Sequence, residues 1–333
     1  MFGTLFRRKP TQPTTRIFFA SDLHGSQRTF RKFLGAAKHY GADILILGGD
    51  VIGKVAIPII ETSAGRYRVH LMGRTEQIEG ADGLAALLDR LGTLGFYGKV
   101  MSEDEFAFIQ ADPSRVEALF HELAYARLAE WIGLAEERLR PLGMRCYMMG
   151  GNDDDQVMID RLRGLASDTV IYSEDVLLDI DDHHQMIASG YSSPTPWNTP
   201  RELPEDALEA HLSTLVDKVP DPRRTIFNFH VPPVDSTLDT CPMLDWTSDP
   251  PRQIVKNGQA VMHGAGSHAV RHVIERAQPM LSLHGHIHES GGTTRIGATV
   301  AVNPGSEYGE GVLRGCLMTL QQGEVKSLQM TSG

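Results

Sequence analysis

Five short apolar runs in this sequence end in residues of the same chemical kind. Ile17-Phe-Phe-Ala20 leads into Ser21-Asp22-Leu23-His24, Ile44-Leu-Ile-Leu47 into Gly48-Gly49-Asp50, and Arg145-Cys-Tyr-Met-Met149 into Gly150-Gly151-Asn152-Asp153-Asp154. Thr225-Ile-Phe-Asn-Phe229 stops at His230-Val-Pro-Pro, and Met280-Leu-Ser-Leu283 at His284-Gly285-His286-Ile287-His288. One aspartate after a strand is ordinarily a helix cap or a turn residue. Five such ends together supply carboxylate, carboxamide and imidazole donors, the hard and borderline ligands that hold divalent cations. A carboxylate has two oxygens and can span two ions. Imidazoles and a carboxamide ligate without adding charge, so bound cations would keep a net positive charge.

The elements that must position these groups follow from the same runs. Four or five apolar residues bounded by glycine or proline fit strands buried on both faces. In open α/β sheets, ligands bind beyond the carboxyl ends of such strands. The adjoining glycines let the chain turn sharply and bring a side chain over the sheet edge. The expectation is an α/β fold with its chemistry at one rim.

Composition narrows the classes. The chain has 333 residues, with 32 Lys and Arg against 42 Asp and Glu, a net charge of −10. That balance argues against a general nucleic-acid coater or a binder of anionic membranes. Cys146, Cys241 and Cys316 are odd in number and far apart, so they build neither a disulfide framework nor a thiolate zinc site. No apolar run reaches the ~18 residues of a membrane span. Arg7-Arg8-Lys9 is followed by Pro10-Thr-Gln-Pro-Thr-Thr rather than by a secretory apolar stretch. The expectation is a cytoplasmic protein with a flexible arm over residues 1–14.

In order and rough spacing, Asp22-Leu23-His24, Gly49-Asp50, Gly151-Asn152, His230 and Gly285-His286-Ile287-His288 resemble the calcineurin-like metallophosphoesterase superfamily. His230-Val-Pro-Pro, Gly266-Ser267, His286-Ile-His-Glu-Ser290 and Asn303-Pro-Gly-Ser306 are similar to its Icc-related group of predicted phosphoesterases. The resemblance covers residues 15–333. It implies a single domain with a four-layer α/β/β/α sandwich, two mixed sheets flanked by helices. It also implies two divalent metal ions, one held by Asp22, His24 and His288, the other by Asn152, His230 and His286, with Asp50 bridging. Mn, Fe, Ni and Zn all suit this thiolate-free set. Two such ions generate a hydroxide from bridging water and clamp phosphoryl oxygens during in-line attack.

Two departures from the family pattern matter. Asp153 stands where the family commonly has a histidine that assists the leaving group, and Asp154 where an acid follows it. Gly53 replaces the second aspartate of the usual Gly-Asp-x-x-Asp motif. Loss of a positioned general acid typically costs ~10²–10⁴-fold. The expected bias is therefore toward phosphodiesters or activated esters, with Asn152, Asp153 and Asp154 as the candidate catalytic group.

Other residues are candidates for lining the pocket. Gly266-Ser267 opens an expected helix over His268–Ala277, whose N–H groups can face a phosphate; the plainer reading of Ser267 is a helix cap. His284 is either a support to the ligands or a packed histidine, and Asn303-Pro-Gly-Ser306 is expected to fold back over the metals. His268, His272, His183 and His184 read as exposed, while His39, His70, His121 and His211 belong to no constellation. Trp197 can stack a nucleobase or anchor its proline-rich loop.

Asp50 and Asn152 are about a hundred residues apart, longer than a crossover helix needs. An insertion is expected at about 54–140: a β-meander over 54–79, serving as a lid or an oligomer contact, then helices over 80–140. Asp112 and Pro113 would open the last of these, with Val116, Leu119, Phe120, Leu123, Leu128, Trp131, Ile132 and Leu139 facing the core. Arg66, Arg68 and Arg74 suit anionic substrates or are ordinary surface residues. The favoured reading is a phosphodiesterase acting on a small phosphoester, a nucleotide among the candidates, with a homodimer open. The rivals are a nuclease of the same superfamily and a catalytically weak scaffold that binds proteins.

Overall fold

A computed structural model describes residues 13–248 and 250–333. The arm expected over residues 1–14 lies outside them except for the exposed Pro13 and Thr14. Thr15–Ala20, Ile44–Gly48 and Arg145–Met149 pair in parallel as neighbours. Val170–Tyr172 extends one side, and Arg314–Gln321 and Glu324–Ser332 complete the other to give a six-stranded mixed sheet. A second six-stranded sheet runs Gly292–Ile296, Thr299–Asn303, Leu281–Leu283, Thr225–Phe229, Gln185–Ser189, Leu178–Asp179.

The layering follows from the period-two alternation of strand side chains. Phe18, Ala20, Leu45, Leu47, Cys146 and Met148 pack on Phe30 and Phe33 of the helix Gln27–Tyr40 and on Leu128 and Trp131 of Pro113–Leu139. Their chain neighbours Ile17, Phe19, Ile44, Ile46 and Tyr147 point the other way, onto Met186, Ile226, Leu281, Leu283 and Val302 of the second sheet. Ile187, Phe227, Phe229 and Ala301 then cover Leu208, Leu212, Val270 and Val273 of the helices Glu205–Val216 and His268–Ala277. Three apolar interfaces make four layers, as the resemblance implies.

The insertion begins as expected, with strands Ala56–Ser63, Arg66–Leu71 and Arg74–Glu79 in a meander. The region read as wholly helical also holds a strand, Tyr97–Met101, parallel to Ala56–Ser63. A strand of five residues is too short for a period to show. Asp112 caps the helix Pro113–Leu139 by accepting from Ser114 N. Leu128, Trp131, Ile132 and Leu139 of its apolar stripe are core, with Phe120 and Leu123 packed against them, whereas Leu119 is half-buried outside that cluster and Val116 is exposed. Arg66 and Arg68 pair with Glu79 and Glu103 on the insertion itself. His184, expected at the surface, is buried: its Nδ1 faces Asp181 and its Nε2 accepts from Gly323 N. Among the described residues no helix is long and apolar enough to cross a membrane.

Candidate metal centre

The parallel pairing places five strand ends at one rim. Asp22, His24, Asp50 and Asn152 leave the first sheet on three adjacent strands, and His230, His286 and His288 leave the second on two. Asp50 lies between the halves: its Oδ2 is 3.5 Å from His24 Nε2 and 3.3 Å from His230 Nε2. Asp22 Oδ1 is 3.4 Å from His288 Nε2 and 3.8 Å from His230 Nε2. His24 Nε2 and His288 Nε2 face each other at 3.2 Å. His286 Nδ1 meets Asn152 Oδ1 at 2.7 Å, and Asn152 Nδ2 donates to Thr199 Oγ1, which turns the carboxamide oxygen toward the cluster. All seven expected ligands converge.

Their backbones are strained to do so. Asp22, His24, Asp50 and His286 have φ of 58°, 42°, 49° and 66°, a left-handed region costing an L residue about 1–3 kcal/mol. The preceding glycines are required by contact. A Cβ on Gly151 would lie 2.1 Å from Asp50 Oδ1, and one on Gly285 2.2 Å from Asp22 Oδ2.

The donors fit divalent cations. His230 Nδ1 faces the Gly48 carbonyl oxygen at 2.8 Å, so its N–H donates there and Nε2 is turned to the cluster without an aligned hydrogen-bond partner, although fully buried. Burial pushes the His230 imidazole down, but Asp50 and Asp22 outweigh it and carry it to about 10. Positive charge at Nε2 is what these carboxylates demand, and a cation supplies it. Burial brings His24 to about 3 and His286 to about 4, leaving neutral rings with free lone pairs. Burial raises Asp22, yet His288 and His230 hold it at about 2. Asp22, His24 and His288 form one group whose ligand atoms lie within 4.8 Å, and Asp22, Asp50 and His230 another.

No protein-family model matches the chain. The uncharacterized protein MJ1162 of Methanocaldococcus jannaschii is 27% identical over 169 residues, which is 48% of this chain and 64% of that protein. The match thus spans less than two thirds of that relative. A solved crystal structure aligns with a TM-score of 0.54 at 16% identity, over 96% of this chain and 99% of its own. TT1561 of Thermus thermophilus aligns at 0.50 and 15%, over 93% of this chain and 100% of its own. A dimetal phosphatase from Danio rerio aligns at 0.40 and 8%, over 96% and 98%. The chain shares its fold with the first two of these structures.

Within that fold the remaining candidates separate. Asp153 sits at the cleft, 3.8 Å from His24 Nδ1 and paired with Lys54 Nζ. Asp154, read as catalytic, is instead buried beneath it. Its Oδ2 accepts from Val51 N at 3.0 Å and Gly151 N at 2.8 Å, and its Oδ1 from Ile52 N at 2.8 Å. It therefore holds the loops of Asp50 and Asn152. His284 is fully buried and satisfied, facing Phe229 O at 2.7 Å and Ser282 Oγ at 2.8 Å. It packs and binds no substrate. Ser267 caps its helix, but the anion at that N-terminus is already present: Glu205 accepts from Ser267 Oγ, His268 N and Ala269 N. Glu205 thus occupies the helix N-terminus expected to face a phosphate, while Gly266 lines the cleft. Asn303-Pro-Gly-Ser306 does fold back, with Asn303 Nδ2 bonded to Gly285 O and Ile287 O, and Ser306 Oγ to Asp22 O.

The centre opens into a cleft of about 1060 Å³; of the described residues of 54–140, Lys54 lines it, while the strands Ala56–Ser63, Arg66–Leu71 and Arg74–Glu79 do not. Sequence reasoning missed several neighbours. Among the described residues, Lys54 is the one lysine or arginine lining the cleft. Tyr308 lies with its ring centroid 4.7 Å from His24. The buried Arg201–Glu174 pair donates to Gly151 O. Lys54 alone carried a signal, four positions after Asp50 in the same loop.

Proposed function

We propose that this chain is a metal-dependent phosphoester hydrolase that favours diesters. The observation that carries the reading is the convergence of seven donors with Asp50 Oδ2 reaching both halves. Asp22, His24 and His288 would hold one ion and Asn152, His230 and His286 the other. When bound, the metals polarise the phosphoryl oxygens and lower the pKa of water; their identity is open among Mn, Fe, Ni and Zn.

The chain's own residues then set selectivity. Asp153 stands where a proton donor is usual in the family the sequence resembles; burial and the charge of Asp50 raise its carboxyl above the ordinary value, and the pairing with Lys54 pulls it back only in part. Lys54 presents positive charge to a substrate oxygen. Asp153, Glu205 and Glu289 make the cleft wall acidic, so a diester with one negative charge enters at lower electrostatic cost than a dianionic monoester. The same wall opposes a polyanionic strand.

Metal analysis of the purified protein, with a chromogenic panel on wild type and Asp50→Ala, tests the reading. Bound metal and turnover should fall together in the variant. Alkyl phosphomonoesters turned over as well as bis-aryl phosphodiesters would overturn the diester preference, and a metal-free, inactive wild type would overturn hydrolysis itself.

A further inference from the structure

Opposite the acidic wall, the cleft is apolar. Trp197 and Trp246 stand in it 61% and 46% exposed, with ring centroids 4.9 Å apart and planes at 68°. Pro194, Pro196 and Met243 flank them. Two indoles left in water beside a reactive centre are unusual, since each has a large apolar area to bury.

The pair is held in place. Thr195 Oγ1 and Thr199 Oγ1 both donate to Glu202 Oε1, and Trp197 N donates to Thr195 Oγ1. Thr199 Oγ1 also accepts from Asn152 Nδ2. One hydrogen-bonded chain thus runs from a metal-ligand candidate to the Trp197 loop. Trp246 sits on the turn between the strands Leu244–Asp245 and Arg252–Gln253, where Thr247 N and Oγ1 donate to Asp245 Oδ1. The proline-flanked loop and the pinned turn make a preformed surface.

We infer that Trp197 and Trp246 form a subsite for the nucleobase of a mononucleotide- or dinucleotide-sized phosphodiester. The aromatic pair offers a flat partner that any base can stack on. The cleft volume suits one or two nucleotides, and Glu205 and Glu289 oppose a longer polyanion. The inference deepens the proposed function for its phosphoester half, but the base-binding half does not depend on catalysis.

The test titrates adenosine 5′-monophosphate and ribose 5-phosphate into the full chain, with and without chelator, by calorimetry and tryptophan fluorescence. Trp131 is buried against Phe30 and serves as the unresponsive ring. The monophosphate should bind roughly 5- to 150-fold more tightly than ribose 5-phosphate, and Trp197→Ala should remove most of that difference, by the usual strength of base–aromatic stacking. Trp197→Phe should restore it in part. Equal binding of the two ligands, or Trp197→Ala and Trp246→Ala variants that circular dichroism shows folded and that bind as wild type does, would overturn the subsite. A base preference without hydrolysis would sink the hydrolase and leave the subsite. Hydrolysis of simple diesters without a base preference would do the reverse.

Discussion

Asp154→Asn separates a residue that organises the centre from one that reacts in it. The carboxyl accepts three amide hydrogens, from Val51, Ile52 and Gly151, at 2.8–3.0 Å. Burial and the charge of Asp50 push it up to about 7 against the pull of those amides. The carboxamide is nearly isosteric, so one oxygen survives and one amide is left facing an NH₂ group. An unsatisfied buried donor costs about 1–3 kcal/mol. With an unfolding entropy near 2.1 cal/mol/K per residue over 333 residues, the melting temperature should fall by about 1.4–4 °C. Asp154→Ala strips all three amides and frees the backbones on either side of Asp50 and Asn152. Metal affinity should drop about 10–100-fold, the usual effect of removing a group that orients ligands. Calorimetric melts in chelator and with added Mn, beside metal titrations, measure both. Asp153→Asn is the control, since its side chain bonds Lys54 and no loop amide, and it should leave the melt unchanged. If Asp154→Asn melts like wild type, binds metal normally and yet loses turnover, Asp154 reacts directly and the positioning argument is wrong.

Three further outcomes follow from the same contacts. Lys54→Ala should lower kcat/KM for diesters by roughly 10–150-fold, the worth of one charge-assisted hydrogen bond; unchanged steady-state kinetics would reduce Lys54 to a partner of Asp153. Gly53→Asp, which would supply the second acid of the motif the sequence resembles, should fold poorly, because a Cβ there lies 2.0 Å from Gly95 O; a stable variant with stronger metal binding would contradict the packing argument. Thiol labelling of the native chain should reach only Cys241, since Cys146 and Cys316 are buried. Burial and the nearby Glu289 and Asp239 raise the Cys241 thiol above its ordinary 9, so its labelling rate should keep climbing past pH 9. Labelling at pH 7 as fast as a free thiol would refute that.

What could be read in advance was whatever a short stretch of chain decides for itself. The apolar run Ile17-Phe18-Phe19-Ala20 marks a strand buried on both faces, and the donor after each run marks the rim. Both depend on neighbours in sequence, and both agree with the structure. Glu205 shows why the rest was hidden. Ser267 has the chemistry of a helix cap wherever it occurs, but whether the N-terminus behind it can take a phosphate depends on a carboxylate 62 positions away. His184 reads as a surface histidine in an acidic turn until Gly323 N closes over its Nε2.

Asp153 belongs to the same class, and it changes what the site is. As a letter in a motif it is a missing histidine, which argues for a weakened enzyme or a scaffold. With Lys54 paired to its carboxylate, it becomes one half of a device that a single substitution could not make. The loop that carries Gly53 where the resembled motif has its second aspartate delivers, one residue later, a cation lining the cleft. Four of the candidate ligands, Asp22, His24, Asp50 and His286, are held at positive φ. Strain of about 1–3 kcal/mol at each is a cost that cation binding would offset, so chelator should lower the melting temperature of the wild type if the centre holds metal, and leave it unchanged if the chain is a scaffold.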